Sequence, residues 1–151
     1  MLRICGLRGL VVVLFAASAA MAAAPAAIAG PTGAMSALTA VTGQGMGLVI
    51  VSPTSEGKGD FDAQVKVNIH DAAPTTTFTV TRAIDAPDGI CTSTDFVPVA
   101  TLTTSAGGAG AVEFERGGRG SGPTMPFDLF LRVIGSDGTV LQSGCMTILG
   151  K

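Results

Sequence analysis

Apolar and polar side chains alternate along much of the chain, and the alternation is clearest between Asp60 and His70. The apolar members of this segment are Phe61, Ala63, Val65, Val67 and Ile69. A helix would scatter these side chains around its circumference, whereas a strand places all of them on one face. The segment is therefore predicted to be a half-buried strand of an antiparallel sheet.

The same period of two recurs in shorter segments, which Pro, Gly and Asp residues separate. Six further strands are predicted: Met46–Ser52, Thr77–Arg82, Val97–Thr104, Val112–Glu115, Phe127–Ile134 and Thr139–Leu149. Asp137-Gly138 is typical of a tight hairpin turn between the last two strands. No stretch of ten residues after residue 29 has the spacing of an amphipathic helix. The pattern predicts an all-β fold, an antiparallel β-sandwich of about seven strands, and leaves a small barrel open as the alternative.

The N-terminal segment has the order of features found in secretory signal peptides. Arg3 and Arg8 precede an apolar run that starts at Leu10, and small residues with Ala-x-Ala spacing follow it. We therefore predict a signal peptide over residues 1–29, cleaved near Ala29, and a secreted or extracytoplasmic protein. An uncleaved membrane anchor is the alternative, because the apolar segment is long enough to span a bilayer.

Removal of the signal peptide changes the net charge and the number of cysteines in the remaining chain. Two of the nine basic residues leave, so that seven basic residues face eleven acidic ones and the net charge is −4. Only Cys91 and Cys145 remain of the three cysteines, and an even pair in an exported protein predicts a disulfide. The rest of the chain is predicted to consist of a flexible leader at residues 30–42, rich in small side chains, and a β-sandwich domain at residues 43–151.

Residues 116–122 (RGGRGSG) are similar to the arginine–glycine segments that contact RNA. Export and a negative net charge argue against nucleic acid as a partner, because nucleic-acid-binding proteins usually present a strongly basic face. The segment is instead predicted to be a flexible loop in which arginine maintains solubility. No membrane contact is expected after signal cleavage.

In strand number and size the arrangement resembles immunoglobulin-like and fibronectin-like sandwiches. The chain departs from true immunoglobulin domains because it has no Trp for the core and no Tyr for the corner, and because Cys91 lies in a loop. Between Val65 and Ile148 it resembles small exported bacterial proteins of uncharacterised role. The segments that carry this resemblance are residues 65–81, 88–91, 102–110 and 137–145. The resemblance implies a fold and no activity.

Residues able to support catalysis or metal binding are few. His70 is the only histidine, whereas catalytic triads and most zinc or copper sites need one or more positioned histidines. Asp60 and Asp62 share one face of a predicted strand, and carboxylates are the ligands that calcium prefers. We expect no enzyme activity and no cofactor. The alternative is a metal-dependent hydrolase or calcium-binding module that uses Asp60, Asp62 and His70.

The longest irregular segment, Ile84 to Phe96, is where we expect partner contacts, because binding residues concentrate on loops held by rigid scaffolds. The candidate residues of this interaction loop are Asp85, Asp88, Ile90, Asp95 and Phe96. A disulfide from Cys91 would fix the loop before binding. Phe96 and Phe130 lie outside the inward alternation and indicate an apolar spot on the surface, with a strand buried on both of its sides as the alternative.

The sequence thus predicts an exported, non-enzymatic protein with a binding or structural role and an unidentified protein partner. Its oligomeric state stays open. A further hypothesis is that the segment Gly30 to Thr42 adds as a strand to the edge of a partner's sheet.

Overall fold

The computed structural model describes residues 28–30, 33–53, 60–119 and 126–149. The strands are β1 (Ile28–Gly30), β2 (Gly33–Thr42), β3 (Met46–Pro53), β4 (Asp60–His70), β5 (Thr77–Asp85), β6 (Val97–Thr103), β7 (Gly110–Arg119), β8 (Phe127–Gly135), β9 (Val140–Ser143) and β10 (Met146–Ile148). All strand pairs are antiparallel, which confirms the predicted all-β class. Within the described residues there is no helix long and apolar enough to cross a membrane.

The strands form one continuous sheet in the order β6-β5-β8-β9-β2-β3-β4-β7, with β1 added beside β2 and β10 beside β8. The sheet curls until its two edge strands approach each other, and the Arg116 guanidinium on β7 donates a hydrogen bond to the Val99 carbonyl on β6 at 3.0 Å. In the described part of the chain the result is a nearly closed, barrel-like sheet of ten strands. The expected number of about seven is too low, because the last predicted strand divides into β9 and β10 and because β1 and β2 were not predicted.

Residues 33–42, which were expected to be part of a flexible leader, form β2 in the middle of the sheet. This strand pairs with β3 on one side and with β9 on the other. Its buried positions hold small side chains, Ala34 and Ser36, beside only one large one, Leu38. The expectation of flexibility is wrong here because small inward residues conceal the strand period. Residues 1–27, and with them most of the predicted signal peptide, lie outside the described residues.

The core lies inside the curled sheet and follows the predicted alternation. On β4, Ala63, Val65, Val67 and Ile69 are all buried, while the residues between them are exposed or partly exposed. Opposite them, β5 and β8 contribute Phe78, Val80, Leu131 and Val133 to the same cluster. Burial of this apolar surface is the main force that holds the sheet closed.

The predicted hairpin turn at Asp137-Gly138 joins β8 to β9. Gly138 has a positive φ of 87°, a conformation that glycine adopts without strain. The Thr139 N–H donates to Asp137 Oδ1 at 3.1 Å, and the Thr139 hydroxyl donates to Oδ2 at 2.9 Å. These hydrogen bonds favour the ionised carboxylate and lower the pKa of Asp137.

Because the pKa of Asp137 is lowered on folding, its contribution to stability is fully present above the usual carboxyl pKa and is lost as pH falls through the folded value. Replacing Asp137 by Asn (D137N) is therefore expected to lower Tm at neutral pH and to have a smaller effect below about pH 4. Thermal unfolding of both proteins across this pH range measures the difference. A Tm difference that stays constant as pH falls would contradict the expectation.

Candidate functional site

Strand β8 is buried on both of its faces over Phe127 to Leu131. The side chains of Phe127, Leu129 and Leu131 belong to the core inside the sheet. On the outer face, Asp128 and Phe130 are only 0% and 5% exposed. The segment between β5 and β6, residues 86–96, lies against this outer face and is called the covering loop.

Two aromatic rings form the apolar part of this contact. The Phe96 ring of the covering loop meets the Phe130 ring edge to face, with 5.0 Å between their centroids. The Arg132 guanidinium lies 4.2 Å from the Phe96 centroid, and its Nε donates to Gln142 Oε1 at 2.6 Å. The expected surface apolar spot at Phe96 and Phe130 is therefore wrong, and the alternative, a strand buried on both sides, is correct. A period of two shows that Phe130 points outward but cannot show that the chain's own loop covers it.

Carboxylates hold the backbone of the covering loop. Asp128 Oδ2 accepts a hydrogen bond from the Gly89 N–H at 2.6 Å, and its Oδ1 accepts one from the Thr147 hydroxyl at 2.6 Å. At the start of the loop, Asp85 Oδ2 accepts from the N–H groups of Thr92 and Ser93 at 2.8 and 2.9 Å. Buried polar groups need such partners, so each carboxylate fixes one stretch of loop. Sequence reasoning missed Asp128, although an acidic residue within an apolar strand is a usable signal.

The structure contains the predicted disulfide. Cys91 and Cys145 are bonded, with 5.4 Å between their Cα atoms. Cys145 lies between β9 and β10, where the Gly144 N–H donates to the Ser36 hydroxyl of β2 at 2.8 Å. The disulfide therefore ties the covering loop to the strands next to β2.

The five candidate residues of the interaction loop divide into two groups. Asp85 and Phe96 hold the loop against the sheet and are only partly exposed. Asp88, Ile90 and Asp95 are exposed, and Ile90 is 61% exposed. Asp88 also accepts a hydrogen bond from the Ile90 N–H at 2.9 Å. Only these three side chains are placed to meet a partner.

A second exposed surface lies on the outer side of β2 and β3. Its apolar side chains, called the outer apolar face, are Met35, Ala37, Val41, Met46, Leu48 and Ile50. Met35 pairs with Ile50 and Ala37 pairs with Leu48 in the register of the two strands. Met35, Val41 and Met46 are 39%, 62% and 51% exposed. Sequence reasoning missed this face because half of it lies in the expected leader.

The residues of the alternative metal site do not come together. Asp62 and His70 stand on the same continuous strand, eight residues and roughly 26 Å apart. His70 Nδ1 instead contacts Asp71 Oδ2 at 2.8 Å on the surface. The side chain of Asp60 lies outside the described residues. No group of three or more His, Cys, Asp or Glu in the described part of the chain could hold a metal ion.

Comparison with protein-family models, curated proteins and solved structures finds no match for this chain. The resemblance to small exported bacterial proteins therefore stays a prediction. The covering loop and the outer apolar face are therefore identified as candidate surfaces from this chain's own residues alone.

Proposed function

We propose that the chain is an exported, non-enzymatic binding protein that contacts a protein partner through its outer apolar face. The observation that carries the proposal is the exposure of Met35, Val41 and Met46 on two adjacent strands. Contiguous apolar surface of this kind marks interaction sites, because covering it releases water from apolar groups.

The position of the outer apolar face in the sheet supports this role. Both β2 and β3 are paired on each side, so their backbones are already ordered before a partner arrives. Binding therefore costs little free energy for ordering the backbone of this surface. Ile90, which is 61% exposed, is a further apolar side chain available to a partner, on the loop that the disulfide ties to Cys145.

Separate features support export and argue against the alternative hydrolase that would use Asp60, Asp62 and His70. A disulfide persists in oxidising compartments, which agrees with the secretory signal features of residues 1–29. The single histidine stands far from Asp62 along β4, and its ring contacts Asp71 instead. We also propose that the fold is immunoglobulin-like, with β6-β5-β8-β9 and β2-β3-β4-β7 as the two halves of the one curled sheet around a shared core.

Affinity capture from the native secretome tests the proposal with a matched pair of variants. The variant Val41→Asp/Met46→Asp (V41D/M46D) places two charges on the outer apolar face, and Thr101→Asp (T101D) places one charge on the exposed outer side of β6. We expect the wild type and T101D to retain the same secreted protein and V41D/M46D to lose it. Retention of that protein by V41D/M46D would overturn the proposed surface.

A further inference from the structure

The barrel-like sheet has a seam between its two edge strands, β6 and β7. In the described part of the chain, β6 pairs only with β5 and β7 pairs only with β4. The two strands meet at the turn that joins them, where the Ser105 N–H donates to the Ala109 carbonyl at 2.8 Å. Beyond this turn, the bond from Arg116 to Val99 is the one hydrogen bond that crosses the seam among the described residues.

Core side chains are incompletely covered along this seam. Val112 and Phe114 stand opposite the buried Val67 and Val65 of β4, so they point into the sheet. Both are only partly buried, as is Val99 across the seam. An unpaired backbone edge and half-covered apolar side chains therefore occur at the same place.

Two guanidinium groups stand at the end of the seam away from the turn. Arg82 is partly buried and pairs with Val97 of β6, while Arg116 extends from β7 to the β6 carbonyl. Burial, and then the nearby charge of Arg116, lower the pKa of Arg82. No carboxylate forms an ion pair with either arginine within the described part of the chain. Positive charge is thus concentrated where the apolar seam ends.

The nearest acidic residues of β7 face the other way. Glu113 is paired with Lys66 at 2.9 Å. Glu115 stands opposite the exposed Gln64 on the same outer side. The negative charge that would balance Arg82 and Arg116 is therefore not supplied by these neighbours.

We propose that the seam binds an extended acidic peptide segment, which adds as a strand to the free edge of β7 and places a carboxylate at Arg82 and Arg116. A free strand edge presents N–H and C=O groups in the spacing that a second strand needs. Strand β7 offers ten residues without proline, whereas β6 contains Pro98. Alternate apolar side chains of the peptide would cover Val112 and Phe114, and guanidinium groups bind carboxylates through paired, charge-assisted hydrogen bonds.

This site is separate from the outer apolar face, so the two proposals can fail independently. The test uses a pool of random eight-residue peptides passed over the immobilised, disulfide-bonded protein, with V41D/M46D as the matched control. We expect retained peptides to be enriched in Asp or Glu and in alternating apolar residues, with equal retention by V41D/M46D. Replacing both arginines by Gln (R82Q/R116Q) is expected to weaken binding about tenfold or more. The single variant R116Q changes an exposed residue and is also expected to weaken peptide binding. It therefore tests the site if the double variant does not fold.

Hydrogen exchange with a retained peptide locates the binding. Protection of the β7 amides that do not bond to β4 is expected when the peptide is present. Failure to retain any peptide, retention of peptides without acidic residues, equal binding by R116Q, or unchanged exchange of the β7 amides would each overturn the proposal.

Discussion

Removing the disulfide is expected to have the largest effect on stability. The bond joins residues 54 positions apart, and its loss in the Cys91→Ser/Cys145→Ser variant (C91S/C145S) is expected to cost about 4 kcal/mol of unfolding free energy through the greater entropy of the unfolded chain. For a domain of this size, that corresponds to a fall in Tm of more than about 10 °C. Thermal unfolding of the variant and of the wild type measures the change.

Proteolysis of the same variant reports on the covering loop itself. We expect cleavage between Asp85 and Asp95 in C91S/C145S at protease concentrations that leave the wild type intact, because an untethered loop opens more often. The exposed-residue variant Ile90→Ser (I90S) is the control, since it changes the same loop without touching the disulfide. An unchanged Tm together with an uncut loop in C91S/C145S would show that the disulfide does not tether the loop.

The parts of the fold that the sequence predicts are those whose inward side chains are mostly large and apolar and whose outward side chains are polar. The alternation from Ala63 to Ile69 predicts β4 because each inward residue is apolar and each outward residue is polar. Strand β2 fails this criterion on both faces, since its inward side includes Ala34 and Ser36 while its outward side includes Met35 and Val41. The alternation of apolar and polar positions is then too weak to indicate a strand, and the small residues suggest a leader.

The outer apolar face is not predicted from the sequence for the same reason. An apolar residue that points outward carries no period-two signal of its own, and only the strand register shows that Met35 lies beside Ile50. The sequence does not predict the seam either. The edge strands β6 and β7 come together only if the sheet curls far enough. Strand patterns specify which residues share a face, whereas closure depends on core contacts between strands far apart in sequence, such as β4 with Val65 and β8 with Leu131.

The covering loop shows how one segment can serve stability and binding with different residues. Phe96 and the carboxylate of Asp128 hold the covering loop against β8, so substitutions there are expected to destabilise the protein or to free the loop. Ile90 and Asp95 contribute little to this seal because they are exposed. Partner contacts should therefore be probed at Ile90, Asp95 and the outer apolar face, where a loss of binding is not a loss of folding.

Replacing Asp128 by Ala is the second change with a large expected effect. Its carboxylate is fully buried and accepts hydrogen bonds from Gly89 and Thr147. The Ala variant leaves both donors without an acceptor, which is expected to lower the unfolding free energy by about 3 kcal/mol. Denaturant unfolding measures this loss as a lower midpoint with an unchanged slope.

The isosteric variant Asp128→Asn (D128N) separates hydrogen bonding from the space that the side chain fills. Its Oδ1 can accept from the Gly89 N–H, and its Nδ2 can donate to the Thr147 hydroxyl, so a loss of only about 1 kcal/mol is expected. The Ala variant should also be cut by proteases within residues 86–96, because Gly89 is no longer held, whereas D128N should stay intact. Equal losses of stability in the two variants, or an intact covering loop in the Ala variant, would mean that the buried carboxylate fills space without anchoring the loop.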